Sequence, residues 1–140
     1  MSARFFLDTN IFVYSFDPSS ATKQRRATQL IREAVSTRKG IVSYQVVQEF
    51  FNVALRRFAH PMSVPEADQY LGTVLRPLLA VQSSAALISE ALRVADRHRL
   101  PWYDSLIVAA AIEGGCGVLY SEDLQDGQQF GQLKVENPFR

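Results

Sequence analysis

The stretch RFFLDTNIFVY, residues 4–14, is a short apolar run that ends at an acidic residue. Arg4–Leu7 has the composition of a strand that is covered on both faces, as in a parallel sheet. Asp8, directly after it, suits two roles. It is a good cap for a helix that starts at Ile11, and it is also well placed to bind a ligand at the carboxyl edge of a sheet. The stretch alone leaves both roles open.

Short apolar runs alternate with helical patterns along the rest of the chain. Apolar residues recur every three to four positions in the helical segments, whereas the β-type runs are mostly apolar. Further strands are predicted at Gly40–Ser43, Gly117–Tyr120 and Leu133–Val135, and helices at Ala21–Arg38, Gln45–Phe58, Ser63 to about Leu79, Ala85–His98 and Asp104–Glu113. This alternation predicts an α/β protein, a three-layer α/β/α sandwich with a short, mainly parallel central sheet.

The composition is that of one ordinary globular domain spanning residues 1–140. The chain is 47% hydrophobic and 21% charged, and its formal net charge of +1 gives no global basic field. The charge is only weak evidence against a nucleic-acid partner, because an acidic site can cancel a local basic patch. A single cysteine, Cys116, excludes an internal disulfide framework and fits a reducing compartment. With no signal-like start and no apolar run near the length of a membrane span, we expect a cytoplasmic protein.

Acidic residues from distant segments are predicted to meet at one edge of the sheet. Asp8 follows the first strand, Glu49 lies six residues past the second, and Asp123 lies three residues past the third. Asp104 opens the apolar helix that leads into that third strand, an unfavourable neighbourhood for an unpaired charge. Each residue alone also suits a structural role as a cap, a turn former or a solvated surface group. Their joint placement favours a common site.

Converging carboxylates cannot all stay ionised unless a cation neutralises them. Oxygen ligands without a histidine or cysteine cluster favour Mg²⁺ or Mn²⁺, which hold phosphate oxygens and activate water. The set therefore suits phosphodiester hydrolysis. Asn10 and Ser121 are candidates to orient a water or a carboxylate. Arg56 and Arg57 are candidate phosphate contacts, although the same pair also suits a solvated helix face.

Three segments carry a family resemblance: FLDTNIFVYSFD at residues 6–17, VVQEFFNV at 46–53 and LPWYDSLIVAAAIEGGCGVLYSEDLQDG at 100–127. With the elements between them, they make nearly the whole chain resemble the PIN domain. Within that family, the chain is similar to the VapC-like ribonuclease toxins of type II bacterial toxin–antitoxin pairs.

The resemblance implies a divalent-metal-dependent endoribonuclease that hydrolyses RNA. By motif, Mg²⁺ or Mn²⁺ would be bound by the four acids Asp8, Glu49, Asp104 and Asp123, which would be the catalytic residues. Supporting roles are implied for Asn10 and Ser121, and Asp126 is an optional further acid behind the ligands. The implied partners are an RNA substrate, a cognate antitoxin protein and a second copy of the chain in a homodimer, with no membrane.

Two other readings of the sequence stay open. One is a catalytically silent PIN fold that serves as an RNA- or protein-binding scaffold. The other is a phosphatase with Asp8 as the nucleophile, but the haloacid-dehalogenase pattern would require aspartate where this chain has Asn10.

Overall fold

A twisted central sheet organises the molecule. The structure is a computed structural model that describes residues 4–140. Within these residues the strands are β1 Arg4–Leu7, β2 Gly40–Ser43, β3 Leu79–Val81, β4 Cys116–Tyr120, β5 Gln129–Phe130 and β6 Leu133–Glu136, in the order β3-β2-β1-β4-β6-β5. All neighbouring strands are parallel except β5 and β6, which are antiparallel. The predicted α/β class with a mainly parallel sheet is confirmed.

Helices connect the parallel strands. They are α1 Thr9–Tyr14, α2 Ala21–Thr37, α3 Tyr44–Ala54, α4 Val64–Tyr70, α5 Arg76–Leu78, α6 Ala85–His98 and α7 Trp102–Glu113, with a π-helical turn at Leu71–Leu75 between α4 and α5. Helix α1 packs against α2 and α3, and α6 packs against α7. Helix α7 is buried along most of its length, as its almost wholly apolar sequence predicts.

The strand order creates a switch point between β1 and β4. From β1 the chain moves outward through β2 to β3, and it then returns to form β4 on the opposite side of β1. In open parallel sheets, ligands bind in the crevice outside the carboxyl ends of the strands at such a point. Asp8 is the first residue after β1 and Ser121 is the first after β4. The topology therefore brings two of the predicted site residues to the expected place.

Several boundaries differ from the predicted ones. Strands β3 and β5 were not predicted, because runs of three and two residues carry almost no periodic signal. The predicted capping box of Ser63 and Glu66 is present. The helix after it does not continue regularly to Leu79, however, because its regular part ends at Tyr70 and a π-helical turn follows. Pro77, which lacks a backbone N–H, lies just beyond that turn.

Three helix ends affect the site. Helix α1 begins at Thr9 rather than Ile11, so it starts immediately after Asp8. Helix α3 ends at Ala54 rather than Phe58, because the chain turns there, and residues 56–57 therefore lie beyond it. Helix α7 begins at Trp102, which places Asp104 in its first turn. Among residues 4–140, no helix combines the length and apolarity needed to cross a membrane.

Candidate active site

Asp8 is a buried carboxylate at the switch point of the sheet, with 5% of its surface exposed. Its Oδ1 accepts a hydrogen bond of 2.7 Å from the backbone N–H of Thr9, so it caps helix α1. Its Oδ2 accepts a second bond, also 2.7 Å, from the hydroxyl of Ser121. Asp8 therefore has the helix-capping role that the sequence left open. This role does not exclude the ligand role, because a carboxylate oxygen can accept more than one bond.

The burial of Asp8 raises its pKa to about 7, well above the ordinary value of 3.8. The hydrogen bonds from Ser121 and Thr9 oppose this rise, whereas the negative charges of Asp123 and Glu49 add to it. The pKa of Asp104 is raised by partial burial and then by the same two charges. Asp8 and Asp104 thus each lie within electrostatic reach of Asp123 and Glu49, although the four acids come from four separate segments.

Ser121 connects two of these acids. Its side chain is fully buried, and its Oγ accepts a hydrogen bond of 3.2 Å from the backbone N–H of Asp123 while donating to Asp8. The loop after β4 is thereby fixed to the residue after β1.

Glu49 is held by two side chains, those of Thr9 and Gln45, that were not predicted to belong to the site. The Thr9 hydroxyl donates to its Oε1 at 2.6 Å, and the Gln45 amide donates to its Oε2 at 3.1 Å. Gln45 also donates to the backbone carbonyl of Tyr103 at 3.2 Å, so it links α3 to the start of α7. The sequence contains a signal that could have identified each residue: Thr9 is adjacent to Asp8, and Gln45 lies one helical turn before Glu49.

Glu49, Asp123 and Asn10 line a common cavity of about 420 Å³. The polar atoms of the Asn10 side chain are buried, and neither has a hydrogen-bond partner within residues 4–140. A buried amide without partners is unfavourable unless a ligand, an ion or water satisfies it. Asn10 therefore marks this cavity as a place where a polar group binds.

The acids do not form a ready-made metal cage. Within the described part of the chain, no three His, Cys, Asp or Glu side chains are grouped closely enough to hold one metal ion. Mutual repulsion among carboxylates disfavours such a cluster when no cation neutralises it. The donors themselves, which are carboxylate and amide oxygens, are the type that hard divalent cations prefer.

A second cluster orients the loop that carries Asp123. Glu122 accepts hydrogen bonds from the Tyr14 hydroxyl and from Lys23, whose Nζ lies 2.6 Å from the carboxylate. The Lys23 ammonium also lies over the rings of Tyr14 and Phe139. This cluster was not predicted, because nothing in the sequence pattern joins its members.

The remaining predicted site residues are Asp126, Arg56 and Arg57, and none of them lines the acidic cavity. Asp126 accepts from the backbone N–H of Asn137 at 2.8 Å and contacts the Arg140 guanidinium at 3.3 Å, and it does not line the acidic cavity. Arg56 and Arg57 are exposed beyond the end of α3. Arg57 lines a neighbouring cavity of about 500 Å³ that shares two wall residues with the acidic one.

Comparison with known proteins identifies the fold. The PIN domain matches residues 5–126. No curated protein sequence matches the chain. The structure of Mycobacterium tuberculosis VapC20, described as a sarcin–ricin loop cleaving toxin, is similar with a TM-score of 0.62 and 22% identity, over 85% of this chain and 89% of that one.

Two complexes have similar chains. One belongs to a toxin–antitoxin complex from Klebsiella pneumoniae, with a TM-score of 0.67 and 18% identity over 98% of both chains. The other belongs to VapBC2 from Rickettsia felis, bound to a promoter DNA fragment, with a TM-score of 0.62 and 16% identity over 94% of this chain and 96% of that one. Identities this low establish a shared fold. Since the family match covers most of the sequence, the predicted resemblance is confirmed, and the chain belongs to the PIN-domain family.

Proposed function

We propose that the chain, acting as a single nuclease domain over residues 1–140, is a divalent-metal-dependent endoribonuclease that hydrolyses RNA phosphodiester bonds. One observation carries the proposal. Burial, and in addition the charges of Asp123 and Glu49, raise the pKa values of both Asp8 and Asp104 near the switch point of the sheet. Carboxyl groups whose pKa is raised by burial and by specific charged neighbours are more frequent at functional sites than elsewhere.

The donor set suits Mg²⁺ or Mn²⁺. Asp8, Glu49, Asp104 and Asp123 would hold the ion, and the unpartnered amide of Asn10 would orient a water or a substrate oxygen. No three of these acids are preassembled among residues 4–140, so holding one ion would require side-chain movement. When bound, the ion would neutralise the carboxylates, hold a phosphate oxygen and favour ionisation of the attacking water.

The protein groups around the ion have distinct tasks in this proposal. Ser121 and Thr9 hold Asp8 in one orientation, and Thr9 with Gln45 does the same for Glu49. A carboxyl with a pKa of about 7 is largely ionised above neutral pH, so Asp8 can serve as a ligand there. In this proposal Arg56 and Arg57, which are exposed beyond α3, would contact RNA phosphates, and Asp126 would act only indirectly.

The proposed biological setting is that of a cytoplasmic toxin. VapC20 is described as a toxin that cleaves the sarcin–ricin loop, and the Klebsiella protein is part of a toxin–antitoxin complex. These descriptions support an RNA substrate and a cognate antitoxin for this chain. A homodimer, in which two acidic pockets act on one substrate, completes the proposal.

The test is metal-dependent RNA cleavage by the purified protein and its Asp8→Asn variant. We expect the parent to cut RNA with Mg²⁺ or Mn²⁺ and to stop when a chelator is added. Asp8→Asn should remain folded and lose this activity, whereas Asp96→Asn, which changes an exposed acid on α6, should keep it. If Asp8→Asn cuts as fast as the parent with equal chelator sensitivity, the mechanism is wrong.

The absence of a preassembled three-ligand group in residues 4–140 favours a second candidate, a silent PIN-fold scaffold. Mn²⁺ distinguishes the two, because a ligand that binds the native state raises the melting temperature by mass action. A shift at millimolar Mn²⁺ that disappears in Asp8→Asn supports the nuclease, and no shift supports the scaffold. The phosphatase gains no support, since the haloacid-dehalogenase pattern requires aspartate where this chain has Asn10.

A further inference from the structure

A second cavity borders the acidic site on the same edge of the sheet. It has a volume of about 150 Å³ and lies among the end of β2, the segment after β3, and helices α6 and α7. Ser43, the last residue of β2, is part of its wall. Because β1 and β2 are parallel neighbours, Ser43 and Asp8 lie at the same edge of the sheet.

Ser43 gives the cavity an unsatisfied polar group. The residue is only 2% exposed, and its Oγ has no hydrogen-bond partner within residues 4–140. It also occupies the N-cap position of α3 without making the usual side-chain capping bond. A buried hydroxyl without a partner costs free energy. Because Ser43 is part of the cavity wall, a polar ligand in the cavity would supply the missing partner.

The chemistry of the wall defines the kind of ligand. No charged side chain among residues 4–140 lines the cavity. Its polar groups are amides and hydroxyls, including Gln45 and Gln48, and its apolar surface includes Leu106 and Ala110. Tyr44 and Tyr103 also line it, and these residues are 42% and 66% exposed. The wall thus offers neutral donors and acceptors together with aromatic faces, and no charge that would bind a phosphate.

The connection to the acidic site decides which neutral ligand fits. Gln45 lines the cavity and donates to Glu49, and Tyr103 lines it directly before Asp104 in the chain. A molecule that places a phosphate at the acids can therefore place an adjacent neutral group here. In single-stranded RNA that group is a base, which proteins recognise by stacking on aromatic rings and by hydrogen bonds to its edges.

We propose that this cavity binds one unpaired RNA base next to the scissile phosphate, with Ser43 and the nearby glutamine amides reading its edge. This inference rests on the proposed nuclease function for its biological meaning. The volume of about 150 Å³ is well below the ~300–1,000 Å³ typical of drug-sized ligands and suits a single planar base.

Nucleoside binding tests the site without requiring cleavage. Uridine, cytidine, adenosine and guanosine are each titrated into ¹⁵N-labelled protein, with methyl riboside as the probe that lacks a base. At least one nucleoside should shift the side-chain amide signals of Gln45 and Gln48 saturably, and methyl riboside should not. Ser43→Ala should weaken this binding about threefold to tenfold, the effect of one lost neutral hydrogen bond.

A matched pair of variants on α6 controls for nonspecific effects. Ile88 lines the cavity and is 48% exposed, so Ile88→Trp should block its mouth without unfolding the protein. Leu92, one turn further along α6, is 56% exposed and lies outside the cavity, so Leu92→Trp should bind nucleosides as the parent does. Equal binding by both tryptophan variants would overturn the proposal. A glutamine with blocked termini serves as a probe for a peptide side chain. If this probe shifted the same signals and no nucleoside did, the proposal would also be overturned, because the cavity would then bind a peptide side chain rather than a base.

RNA cleavage then separates this inference from the proposed function. In a cleaved oligonucleotide, removal of one base beside the scissile bond should slow the parent about tenfold or more, as expected for a lost stacking contact, and should slow Ile88→Trp much less. Nucleoside binding without any RNA cleavage would support the base site and contradict the nuclease. If removal of the base does not change the cleavage rate and no nucleoside binds, the nuclease is supported and the base site is overturned.

Discussion

The hydroxyl of Ser121 donates a hydrogen bond of 2.7 Å to Oδ2 of Asp8, although 113 positions separate the two residues in the chain. Each is the first residue after one of the two adjacent parallel strands β1 and β4. Because Ser121 also accepts from the N–H of Asp123, one buried hydroxyl holds two of the proposed metal ligands in place. Several measurable properties of the protein should depend on this arrangement.

Ser121→Ala should lower the free energy of unfolding at pH 8 by about 1–3 kcal/mol, because it leaves a buried carboxylate oxygen of Asp8 without its donor. RNA cleavage should fall as well, since Asp8 and the Asp123 loop both lose an anchor. Ser36→Ala, which removes an exposed hydroxyl on α2, is the matched control and should change neither property. Urea denaturation and initial cleavage rates measure the two effects. Similar results for the two variants would contradict the anchoring role.

Thr9→Val should weaken metal binding by about 10–100-fold, the usual effect of losing a group that orients a metal ligand. The change removes the hydroxyl that donates to Glu49 but keeps a side chain of similar size. Thr9→Ser keeps the hydroxyl and should restore most of the affinity. Mn²⁺ titration by calorimetry measures this series directly. If the Thr9→Val and Thr9→Ser variants bind Mn²⁺ equally well, the Thr9 hydroxyl does not orient Glu49.

Asp8 should make metal-free protein less stable as the pH rises. Its pKa is about 7 in the folded protein and near 3.8 in an unfolded chain, so the folded state binds the proton more tightly. Its contribution to the free energy of unfolding is therefore highest below about pH 4 and declines until about pH 7. The difference between a pKa of about 7 and one near 3.8 corresponds to roughly 4 kcal/mol at most.

Asp8→Asn should abolish this decline and make the metal-free protein more stable than the parent at pH 8. Urea denaturation of both proteins with a chelator, at pH 4, 5, 6, 7 and 8, isolates the contribution as a difference between two curves. Asp104, whose pKa is also raised, contributes with the same sign in both proteins, so the difference between the curves reports on Asp8. Parallel stability curves for parent and variant would show that Asp8 is not the group responsible.

Gly40→Ala should destabilise the fold by about 1–3 kcal/mol through overpacking. A Cβ at this position would lie 2.2 Å from the Cβ of Ala34 and 2.7 Å from the ring of Phe5, where β2 packs against α2 and β1. Gly72→Ala is the matched control, because a Cβ there meets no atom within 4 Å. Thermal denaturation should give a lower melting temperature for Gly40→Ala and an unchanged or slightly higher one for Gly72→Ala. Equal melting temperatures would contradict the close packing of β2 and α2.

The candidate site could be predicted in part because its acids follow predicted strands. Asp8 directly follows β1 and Asp123 lies in the loop after β4, so the rule that sites form at the carboxyl edge of a parallel sheet is enough to bring them together. The rule says nothing about side-chain partners. Thr9 and Gln45 orient Glu49 through distances that depend on how α1, α3 and α7 pack.

The weakest elements were also the hardest to predict. Strand β3 follows the π-helical turn and has only three residues, so its local sequence did not distinguish it from the end of a helix. Its pairing with β2 supplies the backbone hydrogen bonds that make it a strand. The Ser43 cavity depends on this pairing, because Val81 of β3 and the residues after it form one of its walls.

The sequence by itself determined the α/β class, most of the longer helices and the set of acids near the sheet edge. These features depend on apolar periodicity and on residues adjacent to strands, both of which are local properties of the chain. Only the tertiary structure decided that Asp8 both caps α1 and is bound by Ser121. It also decided that side-chain polar atoms of Asn10 and Ser43 are buried with no hydrogen-bond partner among residues 4–140. Those facts depend on the strand order, which brings segments far apart in sequence within hydrogen-bond distance.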